Sequence, residues 1–404
     1  KDYNRFENKG PREKTMTPAI REAFLLDPEV TYFNHGGFGA CTKEVFAVYQ
    51  DWQRKLEWNP TEFVQHQASD YLCEARKALG AYLNTDGNNL VYYQNPTMAA
   101  NMIIRSLDLQ PGDEILTSNY EYGAMDRTWE FYCQRAGAKY IHQTFPNPVH
   151  VSQEFVDALF SGVTERTKVI FFSQITSPTA TIYPAQAICD RARELGIPIF
   201  IDGAHALAQI PVDLEVLGCD YYVAACHKWL CAPKGSAFAY VAPQHHEKMS
   251  PITISMGWPG CDFNPIPKDR SSLVHYQEYQ GTRDIAGFLT VPAAIEYQAS
   301  HDWDAQRERC HQLAVETQQR ICELTGLEPF SPINGEMFKQ FVAVPLPEGD
   351  IAPLIETLKA EKIVVPVFVL TQTGQNCIRV SYQAYNTHED MEKLLGVLHQ
   401  YYRS

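Results

Sequence analysis

The stretch Ile199-Phe200-Ile201-Asp202-Gly203-Ala204-His205 decides the fold. An apolar run ends there in an acid, a glycine and a histidine, the pattern of a buried strand that stops at a polar turn. Outward from it, between about residues 89 and 241, short β-branched or aromatic runs alternate with helical patterns. The runs are LVYYQ, DEILTS, KYIHQTF, KVIFFSQ, the stretch itself and CDYYVAACHKW. Alternation of this kind predicts an α/β fold with a mostly parallel sheet covered by helices on both faces. GSAFAYV adds a further strand. In such a sheet Asp202 stands at the C-terminal edge of a strand, where open α/β sheets bind their ligands.

Beyond residue 241 the pattern changes. Segment 250–280 reads as loop, with prolines at 251, 259, 265 and 267 and glycines at 257 and 260 interrupting any period. Residues 286–324 read as helix, broken near Pro292. Short strands (KQFVAVPL, KIVVPVFV, CIRVSY) then interleave with helices near 350–361 and 388–402, which predicts a smaller C-terminal α+β domain. The expected division is an N-terminal arm over 1–30, a large domain over 31–290 and a small domain over 291–404.

Composition narrows the partners. The 404 residues are 45% hydrophobic, and 34 basic against 48 acidic residues give a net charge of −14 with no basic run. Nucleic acid and anionic membrane are therefore not expected partners. The longest apolar stretches, such as Val169–Phe172 and the Pro366-containing Ile363–Leu370, fall far below the roughly 18 residues of a membrane span. The first twenty residues lack the apolar core of a secretory signal, so a cytoplasmic location is expected. The eleven cysteines are odd in number and dispersed. No two are three apart, and Cys226, His227 and Cys231 lack ligand spacing, so neither a disulfide scaffold nor a metal is expected. Gly36, Gly37 and Gly39 do not form G-x-G-x-x-G, which argues against a dinucleotide.

Several residues admit both a chemical and a structural reading. Asp202 faces a protonated ligand group or caps the following turn. Lys228 follows a second strand, in Ala224-Ala225-Cys226-His227-Lys228-Trp229; among apolar neighbours its ammonium is disfavoured and it becomes a usable amine, or else it reaches the surface. His227 is a ligand group or a satisfied core imidazole. Asn95-Pro96-Thr97-Met98-Ala99-Ala100 has the N-cap and N1 proline of a helix start, which suits a phosphate or is purely structural.

Taken together, D-x-A-H at 202–205 and H-K-W at 227–229 resemble the fold-type I pyridoxal 5′-phosphate (PLP) enzymes of the aminotransferase class V family. The likeness runs from about residue 30 to the end and is strongest to the isopenicillin N epimerase-like branch. It implies that Lys228 holds PLP as an internal aldimine and moves protons at the substrate Cα. Asp202 would pair with the pyridine nitrogen, His205 with the phenolic oxygen, and His227 would reach the phosphate or the ring edge. Thr97 and Met98 at the helix start would hold the phosphate, Tyr122 of Glu121-Tyr122-Gly123-Ala124 would stack on the ring, and Ser173 and Gln174 would line the pocket. Arg379, in Cys377-Ile378-Arg379-Val380-Ser381-Tyr382, would clamp the α-carboxylate with Asn34 as second ligand. His35 is a candidate pocket group without an assigned role. Ala225 departs from the pattern, since related desulfurases often carry a phosphate-binding Ser or Thr there. Gly281-Thr282-Arg283-Asp284 resembles the motif that reaches a neighbouring subunit's phosphate, implying a homodimer with shared sites. Alternatively it is a turn capped by Asp284.

The resemblance implies action at the Cα of an amino acid through an external aldimine and a quinonoid. Epimerisation, transamination and C–S lysis then compete, all served by Lys228. Persulfide-forming desulfuration also requires a loop cysteine roughly 15 or 30 residues before the clamp, and the stretches around Val364 and Gly349 contain none. An epimerase-like reaction is expected, with Tyr122 or His35 as candidate donor on the second face. A C–S lyase or an aminotransferase is the alternative, and an inactive amino-acid-binding relic the non-enzymatic one.

Overall fold

A computed structural model describes residues 20–256, 258 and 269–403. Twelve strands are present among them: β1 Thr31–Tyr32, β2 Leu90–Tyr93, β3 Glu114–Ser118, β4 Lys139–Gln143, β5 Thr167–Ser173, β6 Ile199–Asp202, β7 Tyr221–Ala225, β8 Ala237–Val241, β9 Phe341–Pro345, β10 Ile363–Val364, β11 Val367–Val369 and β12 Asn376–Ser381. Seven of these form the central sheet in the order β2-β8-β7-β6-β5-β3-β4. β4, β3, β5, β6 and β7 are mutually parallel, and β8 runs antiparallel to both of its neighbours. The GSAFAYV strand is thus the reversed one: the 226–236 connection contains no helix, and a parallel return needs a crossover.

Alternate residues of β5 supply opposite layers. Val169 and Phe171 pack with Met102, Ile103 and Trp129 on one face, while Ile170 and Phe172 pack with Leu159, Ile188 and Ala192 on the other. Strands buried on both faces read as continuous apolar runs, which is why these were visible in the sequence. Helix Pro96–Ser106 begins where Asn95 Oδ1 accepts from Met98 N (2.8 Å), with Pro96 at the first helical position.

The proposed division near residue 290 falls at Thr290, between helices Ala286–Leu289 and Val291–Ser300; a third helix, Trp303–Thr325, follows. The break expected near Pro292 is thus found at Thr290, and the helical stretch over 286–324 is interrupted a second time at Asp302, whose φ is +46°. The C-terminal part is an antiparallel sheet, β11-β12-β9, backed by helices 303–325 and 388–403 over Val342, Val344, Ile378, Leu313 and Leu394. Pro366 splits KIVVPVFV in two, because it has no N–H for a ladder: β10 pairs with β1, and β11 pairs with β12. Phe33, just after β1, packs in this second core.

Segment 250–280, read as loop, contains helix Ser272–Glu278, capped by Ser271 Oγ and buried through Leu273, Val274 and Gln277. Gly257, Pro259, Gly260, Pro265 and Pro267 lie outside the described residues, as do residues 1–19 of the arm. Among the described residues no helix is long and apolar enough to cross a membrane.

Candidate active site

At the C-terminal edge of β5, β6 and β7 lies a cavity of ≈ 340 Å³, lined by Asn34, Thr97, Tyr122, Ser173, Asp202, His205, His227, Lys228 and Arg379 among others. Nine sequence-predicted positions thus meet in one place. The size suits a small-molecule ligand.

β6 delivers Asp202. Its carboxylate is buried, and Oδ1 accepts from Ala204 N (2.9 Å), so the capping reading holds for one oxygen while the residue also lines the cavity. Burial pushes its carboxyl above the ordinary aspartate range, with the Ala204 N–H and the nearby Lys228 pulling the other way. Gly203 is required next to it, since a Cβ there would collide with the Tyr222 ring. Tyr222 Oη in turn donates to Gln174 Oε1 (2.7 Å). Gln174 is therefore occupied in supporting this turn and is absent from the cavity lining, a correction to its expected pocket role.

β7 runs into the loop that carries Lys228. Its ammonium is disfavoured, the pKa lowered to about 8, chiefly by burial and further by Arg379, against the opposing pull of Asp202. Nζ sits 3.1 Å from His205 Nε2, so the surface-reaching alternative fails. The loop is fixed from below. Gly39, at φ +70° and ψ 162°, abuts the His227 carbonyl, a backbone region open essentially to glycine alone and costing other residues about 1–3 kcal/mol. His35 Nε2 donates to the Lys228 carbonyl (3.0 Å) while its Nδ1 accepts from Tyr385 Oη (3.3 Å). His35 is wholly buried, kept neutral with its pKa lowered to about 3 mainly by burial, and does not line the cavity. Both the pocket role and the proton-donor role considered for it are thereby corrected: it is a strut under Lys228.

His227 Nδ1 donates to the Ser236 carbonyl (3.0 Å), because a carbonyl can only accept. Burial and Lys228 lower its pKa to about 4, so Nε2 is an acceptor in the neutral ring and would meet a phosphate only after gaining a proton. Thr97 lines the cavity at the start of helix 96–106, whereas Met98 N is held by the Asn95 side chain, and Met98 lines the adjoining outer groove. Tyr122, at the N-cap of helix Gly123–Ala136, is half exposed over the mouth. Beneath it Glu121 accepts from Ser173 N (2.8 Å) and Ser173 Oγ (2.6 Å).

β12 brings Arg379 from the C-terminal sheet. Nη1 donates to the Ser177 carbonyl (2.6 Å) and to Ser177 Oγ (2.9 Å), and the buried Nε has no partner among the described residues. Asn34 bridges to Ser381 on the same strand, and its buried Oδ1 is also unpartnered. The orphaned guanidinium nitrogen is a donor suited to a carboxylate, whereas the orphaned Asn34 Oδ1 is an acceptor, so Asn34 could serve a carboxylate only through its Nδ2. Ser177 was not visible in the sequence; the only hint was the cluster of small hydroxyls at 176–181. Thr282 is not in this cavity. It lines a separate groove with Phe63, Leu72 and Tyr279, and Asp284 Oδ1 accepts from Ala286 N (2.7 Å), as the turn reading requires.

The donor set fits PLP: a buried carboxylate for a protonated ring nitrogen, an amine with depressed pKa for the aldehyde, and a helix start with a threonine for the phosphate. Comparison with known proteins agrees. The chain is 33% identical over 388 residues to an isopenicillin N epimerase of Amycolatopsis lactamdurans, covering 94% of this chain and 96% of that one. It is 24% identical over 403 residues to a probable chloroplastic L-cysteine desulfhydrase of Arabidopsis thaliana, covering 91% and 82%. The fold superposes on the apo cysteine desulfurase of Thermococcus onnurineus NA1 with a TM-score of 0.80 at 19% identity, over 95% and 97% of the two chains. The aminotransferase class-V model matches residues 32–394, so the chain belongs to that PLP-dependent enzyme family.

Proposed function

We propose that this enzyme removes the Cα proton of an amino acid and returns one to the opposite face, an epimerisation. The observation that carries the reading is the convergence of one depressed-pKa amine, one buried carboxylate and one under-partnered guanidinium on a single cavity. The epimerase relative, at 33% identity over nearly the whole chain, sets the direction.

PLP, when bound, supplies an aldehyde for the substrate amine and a ring that withdraws the charge left at Cα. The protein's own groups do the rest. Arg379 and Asn34 hold the α-carboxylate, the guanidinium through the edge that Ser177 leaves free. Asp202 keeps a proton on the ring nitrogen, and Thr97 binds the phosphate. Lys228, as neutral amine, takes the proton from Cα on one face. Tyr122 is the group assigned to the other.

C–S lysis is the second reading, favoured by the desulfhydrase relative, and it uses the same Lys228. Persulfide chemistry on the protein is disfavoured by Cys377: fully buried on β12, its thiol is pushed up to about 12. The test is incubation of the holoenzyme in deuterated water with a panel of L-amino acids that includes cystine. D-isomer carrying deuterium at Cα is expected. Pyruvate with released thiol from cystine would replace the reading by the lyase, and keto acid with aminated cofactor by the aminotransferase.

We also propose a homodimer. Phe38 and Trp58 are 66% and 91% exposed, and Thr282 lies apart from the cavity of its own chain. Association of two copies would cover such side chains. Sedimentation at the mass of two chains is expected, and a monomer that binds PLP fully would remove the shared site.

A further inference from the structure

Trp229, the residue after the reactive lysine, is wholly buried, and its indole Nε1 donates to His205 Nδ1 at 3.4 Å. Indole N–H is a donor and never an acceptor, so Nδ1 must be the bare nitrogen of the imidazole. Burial, Lys228 and Arg379 all hold His205 neutral, its pKa well below the usual value. A neutral imidazole carries one proton, and with Nδ1 bare it resides on Nε2. Nε2 is the nitrogen 3.1 Å from Lys228 Nζ. Both rings are clamped: Phe341 stacks on His205 (centroids 4.8 Å apart, planes 20°) and lies against Trp229 (5.4 Å), and a Cβ on Gly36 would meet both Trp229 and His205 within 3.5 Å.

We propose that Trp229 is a positioning residue that locks His205 in its Nε2–H tautomer, so that an N–H donor and not an acceptor faces the reacting end of Lys228. The consequence is chemical. An ammonium has three donors and no lone pair, so it cannot accept from Nε2–H, whereas the neutral amine can. The indole thus selects the nucleophilic form of Lys228 at one remove. Three charged or titratable groups act on that amine besides burial: Asp202 favours the ammonium, Arg379 opposes it, and His205 opposes it in this tautomer only. His227, the preceding residue, is turned to Ser236, and His35 meets Lys228 at its carbonyl and not at its amine. With Trp229→Phe the ring volume is largely kept but the N–H is lost. Nδ1 can then take the proton, Nε2 can accept from the ammonium, and the Lys228 pKa rises.

The inference rests on Lys228 being the amine that captures the cofactor, and its first test is independent of that. In the full chain freed of PLP and labelled with ¹⁵N-histidine, His205, identified by its disappearance in His205→Gln, is expected to show a bare Nδ1 and a protonated Nε2. The opposite tautomer would overturn the proposal. The second test follows capture of PLP by Lys228 against pH, in which the amine condenses with the aldehyde with loss of water and borohydride reduces the C=N bond. Trp229→Phe should move the midpoint up by about one pH unit, equivalent to about tenfold slower capture below it. The same substitution in a His205→Ala background should move nothing. An equal shift in both backgrounds, or no shift with His205 present, would show that the indole does not act through the imidazole. If Trp229→Phe fails to fold, the tautomer of the unmodified protein decides. Absence of any Lys228 adduct in that protein would refute the site assignment instead, leaving the tautomer result to stand by itself.

Discussion

Lys228→Ala is expected to abolish covalent PLP capture and to lower Cα deuterium exchange by at least about 10³-fold. A positioned general base alone contributes about 10²–10⁴, and loss of covalent capture adds to it. The fold should survive. The amine makes its side-chain contact with His205 Nε2, and the loop around it is held by groups that the substitution leaves intact: His35 on the Lys228 carbonyl, Gly39 under His227, and Ser236 accepting from the 226–227 backbone. Melting within a few degrees of the unmodified protein is the expected signature, together with a mass after borohydride that lacks the pyridoxyl addition. In the unmodified chain, capture should rise with pH through the region of 8, because the neutral amine is the reactive form. A borohydride-stable label on another residue of the variant, or retained exchange, would remove Lys228 from its role.

What was legible in the sequence follows from where the information resides. β5, β6 and β7 are buried on both faces, so each had to be a continuous apolar run, and the polar residues that end them had to face the ligand edge. Asp202 and Lys228 are accordingly placed by strand ends alone, and Arg379 by the motif on β12. The direction of β8 was not legible, because antiparallel and parallel strands share a composition and only the missing crossover helix distinguishes them. Pro366 should have split its strand on chemical grounds. His35 was misplaced because a histidine beside two glycines looks the same whether it faces a cavity or supports one; the deciding partners, Tyr385 and the Lys228 carbonyl, are 350 and 193 residues away. Ser177 and the Trp229–His205 contact are likewise products of tertiary placement, with no spacing to announce them.

Asp202→Asn should retain PLP and lose about 10²-fold in Cα exchange. The two amide atoms divide the old role. Asn Oδ1 can accept from Ala204 N as the carboxylate does, so the turn and the fold persist. The other position becomes an NH₂, a donor where the ring nitrogen needs a negative acceptor to stay protonated. An opposite charge at contact distance shifts such a proton equilibrium by about 1–3 units, which sets the size of the loss. The pH profile separates this from a packing defect. In the chain freed of PLP burial raises the Asp202 carboxyl, with Ala204 and Lys228 drawing it back. A protonated ring nitrogen at contact is a further positive charge that lowers it, so in the holoenzyme the ionised, competent form persists to lower pH than in the free chain, and activity falls as pH drops through that holoenzyme value, giving an acid limb. Asparagine cannot titrate, so its residual exchange should lose that limb while the remaining profile keeps its shape. A variant with undiminished rate and an unchanged acid limb would confine Asp202 to capping its turn, since a cap is served equally well by an amide oxygen.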